Sequence, residues 1–245
     1  MDAGDWAIDR WGAGRSRFTD GLEPIIGIQL LLWSLGGFIF ATHSISWVRG
    51  QDGRAEVKTR SIPLEAATAA PFQAAAAAGF KPEEIELRML RDVPVYEVRG
   101  AEKSALVDAR NGDLISPIPK ELAERIAVED RQGSPTVQST TLLEADPPTE
   151  YREGELPAWR VVVADEDDTH IYISASTGRI TARRNNAWRR FDFFWMLHTM
   201  DYRDRDSFNH PLLIGASSLA MLSVLSGFLL WGLRVRRRHR RRKQS

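Results

Sequence analysis

The residues of widest chemical range in this sequence are five histidines, His43, His170, His198, His210 and His239. An imidazole can bind a metal, ligate haem iron, or move protons near neutral pH. No cysteine accompanies them, which excludes thiolate metal sites, disulfides and cysteine nucleophiles. Haem in a membrane protein needs two imidazoles at similar depth on facing helices. His43, His198 and His210 each lie beside an apolar or aromatic run. His43 paired with His198 or His210 is therefore the haem-ligand set that the spacing offers. The competing reading makes all three polar residues of a membrane interface, with His198 and His210 orienting the chain through hydrogen bonds.

The acidic clusters point to less. Asp165-Glu166-Asp167-Asp168 sits between two alternating apolar runs. Four carboxylates could hold a hard cation, but at a hairpin tip they read as a solvated turn. The segment Asp201-Tyr202-Arg203-Asp204-Arg205-Asp206 lacks the glycine and closing glutamate of a calcium loop, and two arginines interrupt it. It reads as a surface elbow with internal ion pairs. There is no phosphate-cradling glycine loop, no Ser-His-Asp arrangement on a recognisable turn and no metalloprotease helix. No catalytic or metal-ligating residue is assigned, and nothing points to nucleic acid.

Two apolar runs must position these groups. Residues 24–48 carry no charge, and Trp47 is placed as an interface anchor at the far end. A helix of that length reaches about 37 Å, more than the ~30 Å hydrocarbon core. The second run, Leu212 to Leu233, is 22 uncharged residues long and is followed by eight Arg/Lys between Arg234 and Lys243. Both are expected to cross a membrane. The net charge is formally zero, yet residues 49–209 carry 22 Lys/Arg against 28 Asp/Glu. The basic end marks the cytoplasmic side and fits anionic headgroups. Two crossings place both termini in the cytoplasm and the acidic middle outside, in the periplasm of a Gram-negative cell. Residues 1–23 begin acidic, unlike a secretory signal, and read as a cytoplasmic lead. Small residues could let the two helices approach closely or meet a partner: Ser34, Gly36 and Gly37 in the first, Gly215, Ser217, Ser218, Ser223, Ser226 and Gly227 in the second.

The middle repeats itself. Val93-Pro94-Val95-Tyr96-Glu97-Val98 parallels Leu156-Pro157-Ala158-Trp159-Arg160-Val161, and Val107 to Leu114 parallels Ile173 to Ile180, at offsets of 63 and 66 residues. In each copy an alternating strand with a central aromatic leads to a second strand closed by Asn-Gly or Thr-Gly. Helices are expected before each pair, over Leu64 to Ala78 and Pro119 to Val128, with further strands over Glu83 to Leu90 and Thr136 to Leu143. A helix must cover one face of each small sheet, because isolated hairpins are marginal. The aromatic-basic run from Trp188 to Trp195 has two readings, an interfacial helix in the headgroup plane or an apolar surface packed on the first helix.

A helix followed by strands ending in Val107-Asp108-Ala109 and Gly112, or in Ile173, Ala175, Thr177-Gly178 and Ile180, resembles the PepSY domain. Two such copies between membrane helices resemble the PepSY-associated transmembrane proteins, and Val48-Arg49-Gly50, Phe194 to Tyr202 and Asn209 to Leu213 strengthen the likeness. The resemblance implies an outer α+β domain, a link to iron or siderophore handling, and in larger four-helix relatives haem-carrying ferric reductases. The expected fold class is α+β, two PepSY-like helix-plus-antiparallel-sheet repeats flanked by two transmembrane helices. The expected order is a cytoplasmic lead (1–23), a span (24–48), copies at 49–118 and 119–187, an amphipathic aromatic segment (188–210), a span (211–233) and a basic tail (234–245). The leading reading is a non-enzymatic accessory, scaffold or regulatory subunit in the inner membrane, partnered by the bilayer and by a membrane or periplasmic protein, with no cofactor. The alternative is a haem b electron-transfer protein or ferric reductase ligated through His43, His198 and His210.

Overall fold

The computed structural model describes residues 16–56, 61–62, 64–152, 154–203, 205 and 207–242. Residues 1–15 of the expected lead, Asp204, Asp206 and the last three residues lie outside the described residues. The chain divides into two compact units. One runs from Ser44 to Arg190; the other is drawn from the two ends, up to His43 and from Phe191 onward.

The 44–190 unit is mixed α and β. Helices α1 (Ser16–Thr42) and α2 (Ile45–Val48) precede it or open it; within it follow α3 (Pro71–Ala78), β1 (Glu84–Leu90), β2 (Val93–Arg99), β3 (Ser104–Asp108), α4 (Lys120–Asp130), β4 (Val137–Leu143), β5 (Ala158–Val163), β6 (His170–Ser174) and β7 (Ile180–Arg184). Two antiparallel sheets result, in the orders β1-β2-β3 and β4-β5-β6-β7. The expected helix over Leu64–Ala78 is divided into a 3-10 turn at Leu64–Ala66 and α3. Pro71 is the cause: it cannot donate inside a helix but suits the first position. Gln73 Oε1 accepts the Ala70 N–H at 2.8 Å, and Gly79 ends the helix in the left-handed region.

Each strand sorts its side chains by parity. On the first sheet Tyr96, Val98 and Val107 join α3 and its flanks in one core. On the opposite face Leu90, Val95 and Leu106 share a second core with Ala123 and Ala127 of α4 and with Val161, Val163, Ile171 and Ile173 of the second sheet. The two sheets thus depend on one apolar interior. Gly178 turns the chain there at φ 65°, and a Cβ on it would stand 3.2 Å from Leu90 Cδ1. Only glycine meets both conditions without strain.

The same hydrogen bonds recur in the two halves. Ala109 N donates to Pro94 O at 2.9 Å, and Ala175 N to Pro157 O at 3.0 Å. Ala69 N donates to Ala109 O, as Ile118 N does to Ala175 O; Asp108 N to Asp113 O, as Ser174 N to Arg179 O. The central aromatics match as well: Tyr96 Oη donates to Ala69 O and Trp159 Nε1 to Ile118 O, both at 2.9 Å. Each aromatic ties its strand to the residue that leads into the covering helix.

A charged seam lies beside the shared core. Glu97, 1% exposed, accepts from Arg88 Nε, Arg99 Nε and Arg179 Nε, while Arg99 and Arg179 also reach Glu86. Arg88 further donates to Thr177 O. Burial alone would push the Glu97 carboxyl up, but the arginines hold it below its usual range.

In the terminal unit α1 stops at Thr42, six residues short of the expected end. Thr42 Oγ1 donates to Phe38 O at 2.9 Å, and His43 Nδ1 lies 2.9 Å from Ile39 O, so side chains take the last carbonyls of the helix. Ser44 Oγ then caps α2 by accepting the Trp47 N–H. Helix α5 (Asn186–Thr199) spans the boundary between the units, and α6 (Pro211–Arg242) closes the chain. Among the described residues one run, Pro211–Arg236, is long and apolar enough to cross a membrane, with a mean hydropathy of 2.0. The apolar part of α1, Ile26–Thr42, is shorter.

Leu106 is fully buried where both sheets meet. Leu106→Ala should cost about 2–5 kcal/mol and lower one common unfolding transition of both sheets, followed by circular dichroism on the detergent-solubilised chain. Separate transitions, with only one moved, would contradict the shared core.

Candidate functional site

The sequence-derived histidines fall in different settings. His43 Nδ1 stands 2.9 Å from Ile39 O and 3.1 Å from Thr42 Oγ1, at the end of its own helix. His210 precedes α6. Its Nε2 is 2.8 Å from Thr199 O and its Nδ1 accepts the Leu213 N–H at 3.4 Å. One neutral tautomer, protonated at Nε2, satisfies both contacts, so His210 ties the end of α5 to the start of α6. His198 lies on α5, with its ring edge-on to Phe40 at 5.5 Å and its carbonyl accepting Trp33 Nε1–H at 2.8 Å. Gly36 makes room for it: a Cβ there would be 3.2 Å from His198 Nδ1. That nitrogen is buried without a hydrogen-bond partner. The structure therefore sets His198 against α1, while His43 and His210 have ring nitrogens bonded to backbone. To serve as axial ligands through those nitrogens, both would have to give up these bonds.

The aromatic run divides its faces. Phe191 packs against Phe40 with its ring tilted at 4.7 Å, and Trp195 lies 6.0 Å from Phe40 and edge-on to Phe208 at 5.2 Å. Phe193 remains 49% exposed. Packing on α1, one of the two readings open from the sequence, thus accounts for Phe191, Trp195 and His198. Close by, Ile26, Leu30, Trp33, Met200, Gly215 and Leu219 line an apolar pocket of about 340 Å³.

The acidic tip is tied down by cations. Asp165 accepts from Arg131 at 3.1 Å and from the Thr169 N–H, and Asp168 pairs with Arg189 at 2.9 Å. In the elbow, Asp201 accepts the Arg203 and Ser207 N–H groups. Among the described residues no group of three or more His, Asp or Glu is arranged to hold a metal.

A constellation absent from the sequence reading occupies the second sheet's other face. The β4–β5 connection folds back over it, and Tyr151 stacks flat on Tyr172 at 4.2 Å. Tyr151 Oη lies 2.7 Å from Thr181 Oγ1 and donates to Glu155 O at 3.0 Å. Glu150 takes His170 Nδ1 at 2.5 Å, Tyr172 Oη–H at 2.6 Å and Arg189 Nε–H at 2.9 Å. Arg184 Nε donates to the Glu150 carbonyl at 2.6 Å. Burial pushes the Glu150 carboxyl up, but the bonds from His170 and Tyr172, the His170 charge and the Arg189 bond outweigh it and bring it from 4.5 to about 2. Burial and the same carboxylate push the Tyr172 hydroxyl upward.

Carboxylate, imidazole and phenol together resemble acid–base machinery. Here the carboxylate is saturated by three donors and Tyr172 is fully buried, so the group acts as a clasp holding the connection on the sheet. Beside it lies a polar cleft of about 350 Å³ lined by Glu150, Arg152, Glu155, Thr181, Arg184 and Trp188. The Arg184 guanidinium sits 4.4 Å over the Trp188 ring. No sequence signal marks this clasp, because its partners are 20, 22 and 39 residues apart.

A carboxyl with a depressed folded-state pKa contributes stability that is complete above its unfolded value and fades as pH falls through the folded one. The Glu150 contribution should therefore be full above about pH 4.5 and decline toward about 2. Glu150→Gln should melt below the parent chain near neutral pH, and the gap should close as pH falls through that window. A gap constant across acidic pH, measured by thermal melting, would contradict a stabilising carboxylate.

The comparisons with known proteins single out this half of the unit. Residues 117–184 match the family model described as the peptidase propeptide and YPEB domain, PepSY. No curated protein and no solved structure matches the chain. The matched segment contains α4 and all four strands of the second sheet. Residues 117–184 form a PepSY domain.

Proposed function

We propose that this chain is a membrane-anchored PepSY module that binds, restrains or scaffolds a protein partner outside the cytoplasm. A PepSY domain suggests a protein-interaction or regulatory module. The observation that carries the reading is its position, ahead of the apolar run Pro211–Arg236 whose far end is rich in arginine. In this reading α1 forms the first span, both termini are cytoplasmic, and the middle is periplasmic in the inner membrane. The shorter apolar stretch of α1 would still cross much of a ~30 Å core, extended by its flanking turns.

The first sheet with α3 acts in this reading as a second PepSY-like copy. Its support is the recurrence of backbone hydrogen bonds at offsets of 63 and 66 residues and of the tethered aromatics Tyr96 and Trp159. Work as an accessory subunit would use the flank of α6, where Leu222, Phe228, Leu229 and Trp231 are exposed to lipid or to a membrane partner. A link to iron or siderophore uptake rests on the resemblance to PepSY-associated transmembrane proteins and adds no residue to the site.

Chemical crosslinking of native membranes followed by purification tests the module. A discrete heavier species containing a second protein is expected; an uncrosslinked monomer under conditions that crosslink known complexes would count against it.

The second reading is haem-based electron transfer, favoured by one observation, the buried unpaired Nδ1 of His198. Haem b would supply one-electron chemistry, with His43 and either His198 or His210 as its holders. A flat reduced-minus-oxidised visible spectrum of the purified chain is expected. A sharp b-type signal that His198→Ala abolishes would replace the module reading with this one.

A further inference from the structure

The four outer strands of the two sheets are β1, β3, β4 and β7. Three carry charge: Glu84, Glu86 and Arg88 on β1, Asp108 on β3, Arg183 and Arg184 on β7. Charges on an edge deter a further strand from pairing. The β3 edge is also bridged by Leu114 through Val107. β4, Val137-Gln138-Ser139-Thr140-Thr141-Leu142-Leu143, has no charge and no proline. Among the described residues no strand pairs with its outer side. Ser139, Thr141 and Leu142 are exposed, Leu142 at 38%. One irregularity, between Val137 and Ser139, leaves the run Ser139–Leu143 in regular register with β5.

We propose that the outer edge of β4, over Ser139–Leu143, is a docking site for an extended segment of a partner protein, added as a fifth strand to the PepSY sheet. This deepens the module reading by naming the class of partner and rests on it. An edge strand offers unpaired backbone N–H and C=O groups, and these specify an extended chain whatever its side chains. The side chains narrow the class. One face of the added strand runs beside Thr140 and Leu142, with the Glu124 carboxylate behind Thr140: its Oε1 takes the Thr140 hydroxyl at 2.7 Å and lies 3.7 Å from the exposed Lys120 ammonium, a loose surface pair that leaves the carboxylate able to face a second cation. A basic residue beside Thr140 and an apolar one two positions on, beside Leu142, complement that face. The other face meets the hydroxyls of Ser139 and Thr141. A second copy of this chain fits less well. Antiparallel self-pairing centred on Thr141 sets each Ser139 against Leu143, and five residues bury far less than the roughly 1,200 Å² of a stable dimer.

The test uses the full chain in detergent and a short synthetic peptide that carries lysine and valine two positions apart on one strand face, with threonine at the positions between and flanking them, titrated by calorimetry. Two further versions are N-methylated at odd or at even positions, which removes the N–H groups along one side of the strand. Saturable one-to-one binding is expected, with one methylated version weakened about tenfold or more. Leu142→Lys and Ser139→Lys should each weaken binding similarly while leaving the melting curve in place. Absence of saturation, equal binding of all three peptides, or indifference to both substitutions would overturn the proposal. So would a dimer seen by light scattering that Leu142→Lys dissociates, since the occupant would then be a second copy. A partner still crosslinked in membranes while the peptides fail would overturn the edge and leave the module standing.

Discussion

A buried carboxylate sets the terms for this fold. Moving Glu97 to 1% exposure without partners would cost several kcal/mol, and three arginines offset that. Two of them, Arg88 and Arg99, come from the first sheet, but Arg179 comes from the turn after β6. The charge can be buried only if the Thr177-Gly178 turn is seated against the first sheet. Arg88 reaches Thr177 O from the other side, and Gly178 allows the approach beside Leu90. The apolar interior shared by Leu106, Ala127 and Ile173 lies against this seam. Geometry that satisfies the carboxylate therefore also aligns the two sheets. Apolar residues in the same space could stabilise a fold as well; what this seam supplies is a fixed seating of the Thr177-Gly178 turn on the first sheet.

The same division of labour appears on the far face of the PepSY domain. The stacked tyrosines Tyr151 and Tyr172 provide apolar contact, and the Glu150 carboxylate fixes where that contact forms by collecting His170, Tyr172 and Arg189. With one face given to α4 and the other to the clasped connection, both faces of the sheet are occupied. Its edge is what remains for recognition. In the terminal unit, Gly36 admits the His198 ring, and His210 joins two helices through one backbone carbonyl, Thr199 O, and one backbone N–H, that of Leu213, so two of the imidazoles have evident structural work.

The sequence carried the strands well, because alternation is local. Val93–Val98 and Leu156–Val161 read as strands from period and composition; the first falls within β2 and the second begins two residues before β5 and ends two short of it, while Asn111-Gly112 and Thr177-Gly178 mark real turns with φ of 80° and 65° at glycine. The extra strands over β1 and β4 were legible for the same reason. Pro71 splits the expected helix before the first sheet, although the alanines on both sides of it carry a helical signal. The end of α1 was harder to read: residues up to Val48 stay uncharged, and the helix stops where Thr42 and His43 compete for its last carbonyls. The seam and the clasp were invisible, since Glu97 and Arg179 are 82 residues apart and Glu150 lies in a connection without period. The histidines drew notice for their chemistry, yet His170, given no role from the sequence, is the one bonded to a carboxylate inside the PepSY domain.

The proposed topology holds the PepSY domain on the outer side of a membrane by helices whose ends are cytoplasmic. The chain has no cysteine, so single-cysteine variants report position without background. Glu102→Cys, in the exposed β2–β3 turn, and Ser245→Cys, behind the basic end, would be treated in intact cells with a membrane-impermeant maleimide. The account predicts labelling of Glu102→Cys before lysis and of Ser245→Cys only after it. Protection of Glu102→Cys until the cells are broken, or labelling of Ser245→Cys in intact cells, would contradict it.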